Sequence, residues 1–175
     1  MTPFLLTPDI AELAARVVSE NRVAGRMIAT AESCTGGLVA GALTEIAGSS
    51  AVFDRGFVTY SNEAKMEMLG VASDIIETFG AVSIACVWAM AQGALKHSRA
   101  DVAVAISGIA GPEGGTQLKP VGTVVFARAY RNQTGEPEGE LKHFDGGDDP
   151  AAVRASIRHQ ATMCALDLLL PEGAT

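Results

Sequence analysis

The stretch TAESCTGG, residues 30–37, joins two apolar runs and decides how the chain is organised. The run before it, 27–31, has the length of a buried strand, and the run after it, 38–46, has the length of a helix. The paired glycines Gly36 and Gly37 permit a tight turn between the two. The sequence therefore predicts a strand, a turn and a helix in succession.

The polar residues of this turn have two possible roles. Ser33 or Thr35 can cap the following helix through a side-chain oxygen. A serine in such a turn can also attack a carbonyl group while neighbouring N–H groups hold the developing oxyanion. Cys34 is a further candidate nucleophile, although it also suits a small core position. The local pattern leaves these alternatives open.

Working outward from the turn, helices alternate with strands along the chain. Apolar runs predict strands at 27–31, 51–60, 102–106, 121–130 and 138–144. Helical periodicity and cap residues predict helices at 7–21, 38–46, 62–69, 73–79, 84–98 and 150–170. Thr7, Asn62 and Ser83 are the expected caps of three of these helices. The polar turn 132–137 joins the last two strands into an antiparallel hairpin.

This alternation predicts an α/β fold, a three-layer α/β/α sandwich with a mixed, mostly parallel sheet and one antiparallel hairpin. A chain of 175 residues without repeats or a long linker is expected to form one domain, residues 1–175.

The composition indicates which binding partners and which cell compartment are compatible with the sequence. A net charge of −7 argues against a nucleic-acid groove, which needs clustered Lys and Arg. Three cysteines without a CxxC pair, and no signal-peptide pattern, indicate a reducing cytoplasm. No apolar run approaches the ~20 residues that cross a bilayer, so a membrane protein is not expected.

Two further segments follow predicted strands, where ligands of open α/β sheets bind. The glycine-rich loop 107–116 can wrap a phosphate or a tetrahedral centre, or it can be a plain structural crossover. It lacks the Gly-Lys-Ser/Thr of a phosphate-binding loop, because Lys119 comes too late. Tyr60 and Lys65 follow another strand, and either side chain can deprotonate a serine; a surface lysine is the alternative for Lys65.

The histidines do not form a catalytic or metal-binding pattern. His97, His143 and His159 are far apart in the sequence and lack metal-ligand spacing. No metal site is therefore expected, and an activated serine here needs Lys65 or Tyr60 as its base.

Three motifs and a short fourth one, in this order and spacing, resemble the family of the competence/damage-inducible protein A C-terminal domain. They are AESCTGG at 31–37, GSSAVFDRGFVTYSNEAKMEMLGV at 48–71, GAVS at 80–83 and SGIAGPEGGTQLKPVGTV at 107–124. The resemblance covers the chain from about Leu13 to Leu170. It implies a nicotinamide-nucleotide amidase that hydrolyses nicotinamide mononucleotide to nicotinate mononucleotide and ammonia, in pyridine nucleotide recycling.

The resemblance also assigns roles to residues. It implies Ser33 as nucleophile and Tyr60 and Lys65 as the groups that activate it, without deciding between the two. It implies that Thr35, Gly36 and Gly37 shape the turn and supply amides to the substrate. The opposite wall of the substrate site would be lined by Ser107, Gly108, Gly111, Gly114, Gly115 and Thr116. Lys119 would lie near the phosphate or the base of this wall. No metal or organic cofactor is implied.

The family pattern is incomplete near the last helix. The family usually shows Gly-Asp-Arg there, whereas this chain has Gly-Asp-Asp-Pro at 147–150, so Arg154 or Arg158 is expected to compensate. The resemblance implies the stand-alone form of the domain and a homodimer or larger homo-oligomer, for which the apolar helix 84–98 is a candidate interface. A non-catalytic nucleotide-binding or regulatory module is the alternative function, and a phosphotransferase is disfavoured because no acidic pair for magnesium is evident.

Overall fold

The structure, a computed structural model, describes residues 5–172 and contains a five-stranded sheet in the order β2-β1-β3-β4-β5. The strands are β1 Ile28–Glu32, β2 Phe53–Val58, β3 Val102–Gly108, β4 Thr123–Tyr130 and β5 Glu138–His143. The helices are α1 Pro8–Val23, α2 Leu38–Glu45, α3 Asn62–Leu69, α4 Ser73–Phe79, α5 Ile84–Lys96 and α6 Val153–Leu168, and a 3-10 turn covers Ser49–Ala51.

The sheet is mixed, as predicted. Strand β1 pairs in parallel with β2 on one side and with β3 on the other. Strand β4 is antiparallel to β3, and β5 is antiparallel to β4, so the last two strands form the predicted hairpin. Four of the five strands therefore run in one direction, and the carboxyl ends of β1, β2 and β3 meet at one edge.

Alternating side chains of each strand pack against two helical layers. In β3, Val102, Val104 and Ile106 contact the face covered by α1, α2 and α6. Ala103 and Ala105 contact the face covered by α3, α4 and α5. Since both sets are fully buried, β3 is the central strand of a three-layer sandwich. The predicted fold class is confirmed.

The structure corrects some of the predicted caps. The N-cap of α3 is Ser61, whose Oγ accepts a hydrogen bond from the N–H of Ala64 (3.0 Å), not Asn62. Thr7 stands at the N-cap of α1 but makes no capping bond through its side chain. Ser83 caps α5 as predicted, accepting from the N–H of Cys86 at 3.1 Å.

Helix α5 packs against the sheet of its own chain. Its apolar face, which includes Val87, Met90 and Ala91, is fully buried against the sheet. This face is therefore not a free subunit interface, and the argument for an oligomer from α5 loses its support. Within residues 5–172, no helix has the length and apolar character needed to span a membrane.

Candidate active site

Ser33 lies between the carboxyl ends of two strands. Its N–H donates to the carbonyl of Ile106 at 2.9 Å, which extends the β1–β3 pairing by one residue. On the other side, the N–H of Thr59 donates to the carbonyl of Glu32 at 2.8 Å. These backbone bonds fix the position of Ser33 where β1, β2 and β3 all end.

Lys65 contacts Ser33 directly. Helix α3 begins just after β2, and its first turn directs the Lys65 side chain back to the sheet edge. The Lys65 Nζ lies 3.1 Å from the Ser33 Oγ and donates to the Thr59 carbonyl at 2.8 Å. Lys65 is 1% exposed and Ser33 is 8% exposed. The structure thus joins the two residues in a buried pair.

Burial shifts the protonation equilibrium of Lys65 toward its neutral form. Burial lowers the pKa of its ammonium group below the ordinary value of 10.5, because removal from water disfavours the charge. Besides Thr59, the carbonyls of Tyr60 (3.4 Å) and Ser61 (3.5 Å) lie near the Nζ. A neutral amine has two N–H groups, one of which can donate to the Thr59 carbonyl, and a lone pair that can accept the Ser33 hydroxyl proton.

The Tyr60 side chain is engaged elsewhere. Its hydroxyl accepts a hydrogen bond from the Arg154 guanidinium at 2.8 Å, and the residue is 62% exposed. Only its backbone carbonyl reaches Lys65. Of the two predicted activating groups, the structure therefore places Lys65, and not the Tyr60 hydroxyl, on Ser33.

A cavity of about 220 Å³ opens beside the Ser33–Lys65 pair. Its lining consists of Ser33, Cys34, Tyr60, Asn62, Lys65, Ala81, Val82, Ser107, Gly108, Ala110 and Arg154. Arg154 Nη1 also donates to the Gly111 carbonyl at 2.9 Å, so its guanidinium bridges the two sides of the cavity mouth. This is one of the two arginines expected to compensate for the missing family arginine.

The glycine-rich loop divides between the cavity and the surface. Ser107 and Gly108 line the cavity, and Gly108 is required because a Cβ there lies 2.8 Å from a Val124 methyl group. Gly114, Gly115 and Thr116 are exposed and lie outside the lining.

Lys119 also lies away from the cavity lining. Its Nζ donates to the carbonyl of Phe79 at 2.9 Å, and its N–H donates to the Thr116 hydroxyl at 3.0 Å. The place of Lys119 near the phosphate or the base of the wall stays a prediction. The lysine ties the loop to the carboxyl end of α4, where a cation satisfies an exposed helix carbonyl.

Glu32 is the functional residue that the sequence analysis missed. Its carboxylate is fully buried and accepts the N–H groups of Gly37 (3.0 Å), Val39 (3.1 Å) and Ala40 (2.9 Å). The start of α2 is therefore capped by Glu32, and both predictions for these amides need correction. Neither Ser33 nor Thr35 caps the helix, and the first-turn N–H groups are not free to hold an oxyanion.

The other residues of the turn, from Cys34 to Gly37, are described by their burial and backbone conformation. Thr35 is fully buried, and its hydroxyl has no hydrogen-bond partner within residues 5–172. Gly36 and Gly37 have φ of 60° and 95°, the left-handed region that glycine adopts without strain. Burial raises the pKa of the Cys34 thiol to about 11, so it stays protonated at neutral pH and is a poor nucleophile.

The three histidines lie in separate parts of the structure, and His97 is the C-cap residue at which α5 ends. His159 pairs with Asp9 at 2.9 Å, and His143 Nδ1 lies 3.2 Å from the Thr123 hydroxyl. Over the described range, 5–172, no group of three or more His, Cys, Asp or Glu side chains is arranged to hold a metal ion.

A buried serine–lysine pair beside a cavity, at the carboxyl edge of a mixed sheet, defines an α/β protein with a candidate serine hydrolase site. The chain belongs to the CinA C-terminal domain family, whose model matches residues 10–172. The family predicted from the four sequence motifs is confirmed.

Similar proteins agree in sequence and in fold. The chain is 50% identical over 161 residues to the nicotinamide-nucleotide amidohydrolase PncC of Escherichia coli K12, covering 92% of this chain and 93% of the relative. It is 46% identical to a CinA-like protein of Akkermansia muciniphila, covering 98% of this chain but 41% of that longer protein. The solved structure of the competence/damage inducible protein CihA from Agrobacterium tumefaciens superposes with a TM-score of 0.86 at 51% identity, covering 97% of both chains.

Proposed function

We propose that this protein is a nicotinamide-nucleotide amidohydrolase that uses Ser33 as its nucleophile and nicotinamide mononucleotide as its substrate. The observation that carries the proposal is the 3.1 Å contact between the buried Lys65 Nζ and the Ser33 Oγ beside a cavity. The identity of 50% to PncC supports the same choice of substrate. Together they favour hydrolysis of a carboxamide over binding alone.

The first half of the reaction is acylation of Ser33. Neutral Lys65 takes the hydroxyl proton while the Ser33 Oγ forms a bond to the carboxamide carbon. The resulting tetrahedral intermediate collapses by breaking the C–N bond. The Lys65 ammonium returns the proton to the departing nitrogen, so that ammonia leaves and an ester on Ser33 remains.

Hydrolysis of this ester completes the cycle. Lys65, neutral again, takes a proton from a water molecule, whose oxygen forms a bond to the ester carbon. The bond from that carbon to the Ser33 Oγ breaks, and the proton held by Lys65 returns to the serine. The net reaction consumes one water molecule and converts the carboxamide into a carboxylate and ammonia.

Arg154 is the group best placed to hold the anionic end of the substrate. Its guanidinium lies at the cavity mouth, fixed by the Gly111 carbonyl and the Tyr60 hydroxyl. A planar guanidinium binds phosphate oxygens in a two-pronged geometry. Binding the phosphate there positions the carboxamide toward Ser33, so that distant binding energy serves the reaction.

The other partner predictions rest on this function. The proposed partner is a small-molecule nucleotide, and the proposed compartment is the cytoplasm, where pyridine nucleotides are recycled. The homodimer or larger assembly stays a prediction from the family resemblance.

The decisive experiment measures ammonia release from nicotinamide mononucleotide by the wild type and by Ser33→Ala, with EDTA present in parallel assays. We expect release by the wild type that EDTA does not change and that Ser33→Ala abolishes. Thr44→Ala, on the outer side of α2, is the matched control and is expected to keep full activity. A folded wild type that binds the nucleotide without releasing ammonia would instead indicate a binding module.

A further inference from the structure

The turn that carries Ser33, residues 33–37, is held at its middle and at the end that enters α2 by two charged side chains that do not line the cavity. We propose that Arg158 and Glu32 are positioning residues that fix this nucleophile turn for the attack by Ser33. The inference rests on the proposed amidase function, which assigns the nucleophile.

Glu32 fixes the end of the turn that enters α2. Its buried carboxylate accepts the Gly37 N–H, which closes the turn onto the residue that precedes Ser33. Its bonds to Val39 and Ala40 fasten the same carboxylate to the first turn of the helix. A negative charge is favourable there because the N-terminus of a helix is partially positive. The turn therefore cannot move without breaking three hydrogen bonds.

Arg158 holds the middle of the turn from helix α6. Its Nε donates to the Cys34 carbonyl at 3.0 Å, and its Nη2 donates to the Thr35 carbonyl at 3.2 Å. The two N–H donors of one planar guanidinium thus fix the orientation of two successive peptide groups. Arg158 is part of α6, which packs against both α1 and α2. Its two bonds to the Cys34 and Thr35 carbonyls, here called the clamp, therefore link the nucleophile turn to this helical layer.

The clamp has a consequence for hydrogen-bond donors near Ser33. In a trans peptide the C=O and N–H groups point in opposite directions. Because the Cys34 carbonyl is directed at Arg158, the Thr35 N–H of the same peptide points away from α6. Within residues 5–172 this N–H has no acceptor, unlike those of Gly36 and Gly37. The clamp therefore fixes the direction of this N–H as well as that of the Cys34 carbonyl.

The position of Arg158 separates its role from that of Arg154. Arg154 is one helical turn earlier in α6 and lines the cavity, where it can touch the substrate. Within residues 5–172, the hydrogen bonds of the Arg158 side chain go to carbonyl groups of the turn. Loss of Arg154 is therefore expected to raise KM, whereas loss of Arg158 is expected to lower kcat, because a small misplacement of a reacting group costs about a hundredfold in rate.

The test compares Arg158→Ala, Arg158→Lys and Arg154→Ala with the wild type in steady-state ammonia release. We expect Arg158→Ala to lower kcat by about a hundredfold with KM within about threefold, and guanidinium ion added to this variant to restore part of the rate. Arg158→Lys is expected to fall between, because one ammonium group cannot hold two carbonyls at once. His159→Gln, the next residue of α6, faces Asp9 and is the control for a general effect on the helix.

Three results would overturn the proposal: an unchanged kcat in both Arg158 variants, a loss confined to KM, or an equal loss in His159→Gln. If Arg158→Ala does not fold, Arg158→Lys decides by the same criteria. Glu32→Gln is the second test, because an amide in place of the carboxylate directs an N–H group at backbone N–H groups, and its kcat is expected to fall while KM is kept.

A second measurement keeps this inference separate from the proposed function. A fluorophosphonate reacts with an activated serine by forming an O–P bond to the Ser33 Oγ and releasing fluoride, while Lys65 takes the hydroxyl proton. If the wild type releases no ammonia, the proposed function fails, but the labelling rate still reports on the turn. Labelling of Ser33 is expected to be at least tenfold slower in Arg158→Ala; an equal rate in both proteins contradicts the clamp.

Discussion

Lys65 is the proposed base of the reaction, and its burial has two opposing effects. A lysine in water is charged at neutral pH and cannot accept a proton from serine. Burial lowers the pKa of Lys65, which increases the fraction of neutral base at a given pH. The same burial costs folding free energy whenever the ammonium is charged.

The pH dependence of the reaction follows from this lowered pKa. We expect kcat/KM to rise with pH as Lys65 loses its proton. The midpoint of the rise should lie below pH 10.5, and kcat/KM should level off above that midpoint. The measurement is the pH profile of ammonia release, with Lys65→Arg as comparison. Since arginine stays protonated throughout, this variant is expected to show no rise. A flat profile in the wild type would exclude Lys65 as the base.

Replacing Lys65 by methionine separates its catalytic effect from its effect on stability. We expect Lys65→Met to lower kcat by about 10²–10⁴-fold, the usual contribution of a general base. The sign for stability is opposite. Because the folded-state pKa of Lys65 is lowered, the charge destabilises the fold fully below that pKa, and this cost falls as the pH rises from that pKa to the unfolded value of 10.5.

The free energy of unfolding in urea at neutral pH is therefore expected to rise in Lys65→Met. This gain in the free energy of unfolding should shrink as the pH is raised from the folded-state pKa of Lys65 toward 10.5, because the wild type then loses its buried charge. A variant that is destabilised at every pH would show that the bonds of Lys65 to the surrounding carbonyls outweigh the cost of its charge.

At the scale of elements, the sequence predicted which helices and strands form, but not how their ends meet. Apolar periodicity was sufficient for the five strands, because β-branched and alanine-rich runs bounded by glycine have few alternatives. The buried state of Lys65 was not predictable from its own helix, since it depends on how α3 packs over the sheet edge. A polar residue that enters the core is identified only by its partners.

The same reason explains Glu32 and Lys119. An acidic residue at the end of the run IATAE resembles an exposed strand end, and only the approach of α2 reveals three N–H groups around it. Lys119 follows a long glycine-rich loop whose path is set by contacts distant in sequence, such as the Phe79 carbonyl. Local pattern predicted the glycine-permitted turn well, because a turn depends on neighbours in the chain.

The contact between α5 and α3 gives a prediction at this scale. Gly93 of α5 lies against the end of α3, where an added Cβ is 2.1 Å from the Leu69 carbonyl oxygen. We expect Gly93→Ala to lower the free energy of unfolding by about 2 kcal/mol, since overpacking a close contact costs about 1–3 kcal/mol. Because α3 also carries Lys65, the displacement should reduce kcat as well.

The matched control is Gly41→Ala, in the middle of α2, where an added Cβ meets nothing within 4 Å. There the change is expected to raise stability by about 0.5–1 kcal/mol, because alanine favours a helix over glycine. Urea unfolding and ammonia release of both variants check the pair. Equal stabilities in the two variants would contradict the close α5–α3 contact.

At the scale of the whole molecule, Asp54 lies at the end of the sheet opposite the active site, where it connects the edge strand β2 to a neighbouring segment. Its carboxylate is 2% exposed and accepts from the backbone N–H of Arg99 at 3.0 Å, with ion pairs to Arg99 and Arg55. These contacts connect β2 to the segment between α5 and β3. The backbone hydrogen bond from Arg99, together with both guanidinium groups, lowers the pKa of Asp54 to about 2.

This lowered pKa predicts how the fold responds to acid. A carboxyl group with a lower pKa in the folded state stabilises the fold above its unfolded pKa, and the contribution is lost as the pH falls from about 4 toward 2. We expect Asp54→Asn to reduce the free energy of unfolding by about 1–2 kcal/mol at pH 7, an amount limited by the exposure of both arginines. The difference in the free energy of unfolding between Asp54→Asn and the wild type should narrow between pH 4 and pH 3. The control is Glu113→Gln, which replaces an exposed carboxylate of the glycine-rich loop and should leave the free energy of unfolding unchanged. Urea unfolding at pH 7, 4 and 3 tests this, and a difference that stays constant over that range would mean that Asp54 acts through packing rather than through its charge.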